Sequence, residues 1–143
     1  MLKKPLFKET AILFVLVATL NYVADVYHLY WSIYEFDSVV HFFAGAALAS
    51  FFIWLYFYSG YFNPPRRSLR KFLLISFLGA MFVGFSWEIY EFIFKKAMVE
   101  AADYPYDTVM DLIMDFLGAL VGSFYGYIKE HNIQAVIKNQ NES

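Results

Sequence analysis

The chain contains no cysteine, only four prolines and seven glycines, and little charge, with Asp, Glu, Lys and Arg together making up 17% of its 143 residues. Without cysteine there is neither a disulfide scaffold nor a thiol nucleophile. The formal net charge of −2 lacks the basic surplus that a nucleic-acid binder uses to neutralise phosphates. No internal repeat and no low-complexity segment is visible. What fills the composition instead is apolar: 60% of residues are hydrophobic and 22% are aromatic. A soluble domain of this size buries only about two-thirds of the surface that its unfolded chain exposes. So much apolar surface cannot be hidden from water, and the composition points to a membrane protein.

Four stretches have the roughly 20 mostly apolar residues that a bilayer-crossing helix needs. They run from about Thr10 to Trp31, from Ser38 to Gly60, from Phe72 to Phe94 and from Asp107 to Ile128. The expected fold is therefore all-α, an integral membrane bundle of four transmembrane helices whose short connections make antiparallel neighbours. Residues 1–130 form that domain and residues 131–143 a polar cytoplasmic tail. Nine of the eleven Lys and Arg residues fall on one side of this topology, with Lys95 and Lys96 alone on the other. By the positive-inside rule both termini are cytoplasmic, and the expected location is the plasma membrane. The basic start of the first span resembles a signal peptide, but no small-residue cleavage site follows, so it is read as a retained helix. Tyr27, Tyr30, Trp31 and Tyr34 form one interfacial aromatic group, and Trp54, Tyr56, Tyr58 and Tyr61 another.

The chemistry lies in ionisable residues inside the spans, each costing about 2.5–3.5 kcal/mol at a helix centre. Asn21, Asp25 and His28 make a stripe on the first span, and Asp37 and His41 lie one turn apart on the second. Glu88 and Glu91 follow on the third, and Asp107, Asp111 and Asp115 recur every fourth residue on the fourth. With a rise of about 1.5 Å per residue and alternating directions, all four stripes fall in the outer half of the membrane. Seven carboxylates then converge on two histidines, with no Lys or Arg at that depth. Packed in low dielectric, they either share protons or hold a cation. Asp, Glu and His suit divalent manganese, iron or zinc, and an oxygen-rich site suits magnesium or calcium.

The expected metal ligands are His41, Glu88, Glu91, Asp111 and Asp115, with Glu88 and Glu91 doubling as catalytic groups. Asn21, Asp25, His28, Asp37 and Asp107 stand behind them as orienting residues. Asp37 before Ser38 and Asp107 before Thr108 also fit plain helix N-caps. Gly118, Gly122 and Gly126 form a small-residue row suited to close helix packing.

These residues carry a resemblance. Asp37 and His41, then Glu88 and Glu91, then Asp107, Thr108 and Asp111 followed by Gly118 and Ala119, resemble the YjdF-like family of small bacterial inner-membrane proteins. The Asp/His pair, the mid-chain Glu and the late Asp…Gly segment are more distantly similar to the VanZ-like family. There, Asp115 occupies the place of an Asn, and the usual Gln and Arg after the Glu are missing. The resemblance spans about Asp37 to Gly126 and implies a small multi-pass membrane fold, with a link to glycopeptide resistance on the VanZ-like side.

The leading expectation is metal-dependent hydrolysis or group transfer on a lipid-linked or envelope substrate, the metal polarising substrate and activating water. Cation- or proton-coupled transport, and a non-catalytic accessory role, are the alternatives. The bilayer is the one certain partner; a homo-oligomer is compatible with the sequence, and nucleic acid is not expected.

Overall fold

The computed structural model of the chain describes residues 5–33, 35–62, 64, 67–94 and 104–141. It contains helices α1 (Phe7–Val26), α2 (Leu29–Ser32), α3 (Phe36–Ile53), α4 (Leu69–Phe94) and α5 (Tyr104–Asn141). A π-helical turn, Trp54–Tyr58, prolongs α3, and no strand occurs among the described residues. Four helical segments are long and apolar enough to cross a membrane: Phe7–Val26, Phe36–Tyr58, Leu69–Phe94 and Pro105–Asn141. The all-helical, four-span architecture agrees with the composition.

The helix ends differ from those expected. The first span stops at Val26 instead of continuing to Trp31, because His28 takes a left-handed backbone conformation (φ 54°) that no α-helix accommodates. The chain turns there and re-enters the short α2, whose Trp31 and Ser32 N–H groups donate to the His28 carbonyl. At α3, Glu35 is the left-handed residue before the helix (φ 58°), and Ser38 Oγ donates to Glu35 Oε2 at 2.7 Å. Asp37 is thus inside the first turn and does not cap the helix. Asp107 likewise lies within the first turn of α5, which begins at Tyr104. Pro105 sits in that turn, where its missing N–H costs nothing. At its far end α5 continues as helix to Asn141, through most of the segment read as a polar tail. Lys95, Lys96, Glu100 and Asp103 lie outside the described residues.

Helix α3 is central, packing along α5 most extensively and also against α1 and α4. Glycine explains the intimacy of α3 and α5. A Cβ on Gly118 would lie 2.0 Å from the Phe42 carbonyl oxygen, and one on Gly45 would lie 2.1 Å from the Asp115 carbonyl oxygen. The two backbones therefore touch, as small residues allow in membranes, where dispersion contacts replace the hydrophobic drive. Ala46 and Ala49 of α3 and Ala119 of α5 are buried along the same seam.

At one end of the bundle Leu6, Ile53, Phe57, Tyr58 and Phe72 form an apolar cluster, with the Phe57 and Phe72 rings stacked at 4.4 Å. A polar knot caps it. Arg67 Nη1 donates to both carboxylate oxygens of Glu130 (2.8 and 2.9 Å), and Tyr58 Oη donates to Glu130 Oε2 at 2.5 Å. Gln134 Nε2 donates to Glu130 Oε1 at 2.8 Å, and Lys129 pairs with Glu9. The start of α1, the π-turn after α3, the segment before α4 and the middle of α5 thus gather where the sequence concentrates its basic residues. Outward, side chains such as Phe82 (73% exposed) and Ile12 (66%) leave apolar surface suited to lipid contact.

Candidate metal centre

The other end of the bundle holds the acids. His41 of α3 is 6% exposed, and Asp111 and Asp115 of α5 are 1% and 2% exposed. His41 Nε2 faces Asp37 Oδ1 at 3.8 Å and Asp111 Oδ2 at 3.9 Å, while Nδ1 faces Asp115 Oδ2 at 3.4 Å. One donor atom from each of Asp37, His41 and Asp111 lies within 4.8 Å of the others. A metal with ligand bonds of about 2.0–2.2 Å separates tetrahedral ligands by roughly 3.3–3.6 Å; the two distances from His41 Nε2, 3.8 and 3.9 Å, are a few tenths of an ångström longer, and all three donors lie within 4.8 Å.

The local sequence explains each position. Asp37 and His41 are one turn apart on α3 and share a face, as Asp111 and Asp115 do on α5. Gly45 and Gly118 bring the two faces close enough for imidazole and carboxylates to meet. Gly84 supplies the third wall: a Cβ there would sit 2.5 Å from Asp115 Oδ2, so only glycine lets this carboxylate lie against α4. Several polar atoms are buried without a hydrogen-bond partner, namely His41 Nδ1, Asp111 Oδ1, Asp115 Oδ1 and both Glu88 oxygens. Acceptors in this state each cost about 1–3 kcal/mol, more when charged. A cation between Asp37, His41 and Asp111 would engage the Asp111 carboxylate directly.

Beside the cluster is a cavity of about 540 Å³, walled by α1, α3 and α4. Asp37, His41, Asp115 and Glu91 line it, as do Asn21 and Asp25 from α1. Five expected positions, Asp37, His41, Glu91, Asp111 and Asp115, are therefore gathered around one imidazole and one cavity wall. Glu88 is buried on α4 a turn before Glu91. Glu88 and Glu91 both lie outside the three-residue grouping that the donor distances define. The arrangement also differs in rank from the expected one, since Asp37 stands among the donors while Asp115 faces the opposite imidazole nitrogen. His28 is exposed and does not line the cavity, its backbone serving as the break after α1.

The chain matches the family described as "Predicted membrane protein (DUF2238)" over residues 3–132. It belongs to that family. The YjdF-like resemblance fits this membership. No curated protein and no solved structure matches the chain.

Some residues around the site were not visible as such in the sequence. Tyr30 reads as an interfacial aromatic, yet its hydroxyl donates to Asn21 Oδ1 at 2.9 Å and its ring lines the cavity. Burial, reinforced by Asp37 and Asp25, pushes its phenol above the ordinary range and keeps it a neutral donor. Trp31, Trp87 and Tyr90 line the same cavity. The helix break at His28 that brings Tyr30 and Trp31 there has no glycine or proline to announce it. Glu130 directly precedes the polar segment, and nothing in the sequence around it sets it apart. Only the Arg67 and Tyr58 contacts distinguish it.

Proposed function

We propose that Asp37, His41 Nε2 and Asp111 hold a divalent cation, with manganese, iron, zinc, magnesium and calcium as the candidates. The observation that carries this reading is the convergence of three buried or half-buried donor groups within 4.8 Å. Asp115, against Nδ1, fixes the imidazole and raises its basicity, as carboxylates behind metal-bound histidines do. Glu88 and Glu91 are the further carboxylates available as ligands or as bases. The fitting chemistry is metal-dependent hydrolysis or group transfer on a lipid-linked substrate, the cation polarising the substrate and activating water. In this reading the acidic end faces outward from the plasma membrane and both termini are cytoplasmic, consistent with the basic residues around Arg67 and Lys129.

Elemental mass spectrometry of the detergent-purified protein tests the proposal. Near-stoichiometric metal in the wild type and none in His41→Ala or Asp111→Ala supports it. Absence of metal from the wild type after dialysis against each candidate ion would overturn it and leave a proton-sharing network.

One observation favours transport as the second reading. Ser50, Ser76 and Ser123 are fully buried on three helices, between the acidic cluster and Glu130. They form a polar layer at about one level of the bundle, 12 or 13 residues along their helices from Asp37, Glu88 and Asp111. Cation or proton flux in liposomes that disappears in Asp115→Asn would establish it.

A further inference from the structure

The cavity has two chemically different ends. Along α1 its lining residues are Phe14, Val17, Asn21 and Asp25, a single helical face that is apolar at the mid-helix end and polar at the other. Along α3 the same change runs the opposite way in sequence, from Asp37 and His41 to Ala44 and Leu48. From Asp37 to Leu48 the helix rises about 16 Å, a length shared by a head group and the first carbons of an alkyl chain. Helix α1 packs along α3 and makes no comparable contact with α4, so the cavity lies over α3 between two helices that do not close on each other. A wholly water-soluble ligand has no use for the apolar half.

The polar half states the charge of what enters. Asp25, Asp37, Glu91 and Asp115 line it, and among the described residues no Lys or Arg does. Asp115 is 2% exposed and its Oδ1 has no donor. Trp31, Trp87 and Tyr90 add aromatic faces, which attract organic cations. We propose that this cavity binds a membrane amphiphile with an ammonium head group, its head between the aromatics and the carboxylates and its chain in the Phe14–Val17–Leu48 half, entering sideways between α1 and α4. The proposal rests on the cavity alone and stands whether or not the Asp37–His41–Asp111 group holds a metal.

The protein's own tryptophans report it. Two of the three, Trp31 and Trp87, line the cavity, and the third, Trp54, packs against Phe7 at the opposite end and is replaced by Phe to leave a clean signal. The Trp54→Phe protein is reconstituted in phosphatidylcholine vesicles and titrated with dodecylammonium brominated beside its head, and separately with equally brominated dodecyl sulfate. Expected is saturable quenching by the ammonium amphiphile, displaced by its unbrominated form and at least about tenfold weaker for the sulfate. Asp25→Asn combined with Glu91→Gln removes the preference. Ala44→Phe or Val17→Phe, either of which fills the apolar half, removes saturable quenching of both probes while leaving metal content as in the wild type. Equal quenching by both amphiphiles, or quenching that never saturates, overturns the proposal. Repeating the titration after chelator treatment separates the two readings: ammonium binding that persists without metal supports this one irrespective of the other.

Discussion

His41 is the residue on which the acidic end turns. Its two nitrogens face different partners, Nε2 toward Asp37 and Asp111 and Nδ1 toward Asp115. The roles of the three acids are therefore unequal, and substitutions separate them. Asp111→Ala removes a donor from the convergent set and is expected to abolish stoichiometric metal. Asp115→Asn leaves the donors in place but loosens the imidazole, and is expected to weaken metal affinity about 10–100-fold. Isothermal titration with manganese or zinc distinguishes the two; equal loss in both variants would make Asp115 a ligand like the others. Much of this residue pattern was legible in the sequence, since Asp37, His41, Glu88, Glu91, Asp111 and Asp115 stand out as charges in apolar spans. Their ranking was not, because it depends on which ring nitrogen faces which helix.

At the scale of elements, the α3–α5 contact decides whether the site exists. Gly45 and Gly118 sit where any side chain would meet a backbone carbonyl, which cannot move aside as a flexible side-chain tip can. Gly118→Leu is accordingly expected to separate the helices, lowering stability by at least about 1–3 kcal/mol and abolishing metal binding together with it. Gly60, at φ +97° with nothing near its Cβ, is costly to replace only through backbone strain and should leave metal content unchanged. Thermal unfolding in detergent, followed beside metal content, checks both. The glycine row in the fourth span signalled close packing, but its partner helix could not be read from it. The reason is that a small-residue face specifies how near a neighbour comes and not which neighbour comes.

Taken whole, the molecule has an acidic end and a basic end joined by an apolar middle. At the basic end Glu130, 3% exposed, depends on Arg67, Tyr58 and Gln134. Arg67→Met leaves a buried carboxylate with a weakened complement. The expected cost is about 1–3 kcal/mol, moderated because the Arg67 side chain is 34% exposed. Adding Glu130→Gln to Arg67→Met should recover part of it, measurable in the same unfolding assay. The absence of cysteine makes topology simple to test, since any introduced thiol is unique. Cysteine at Arg70 should be labelled by a membrane-impermeant maleimide only after the cells are opened, and cysteine at Tyr106 in intact cells. The reverse pattern would invert the proposed orientation.

The membrane class, the four candidate spans and the gathering of the charged residues toward one end follow from composition and spacing, because a bilayer punishes a misplaced charge within a single helix. Helix ends were less legible. The break at His28 and the early start of α3 after Glu35 use ordinary residues in the roles that glycine or a side-chain cap usually fills. Tertiary structure alone decided that α3 lies at the centre, that Asp37 joins His41 and Asp111, and that α1 and α4 leave a two-natured cavity between them. These are relations between helices. In a uniformly apolar chain many helix arrangements bury similar surface, so the choice falls to backbone-close glycine contacts that form only once the helices meet.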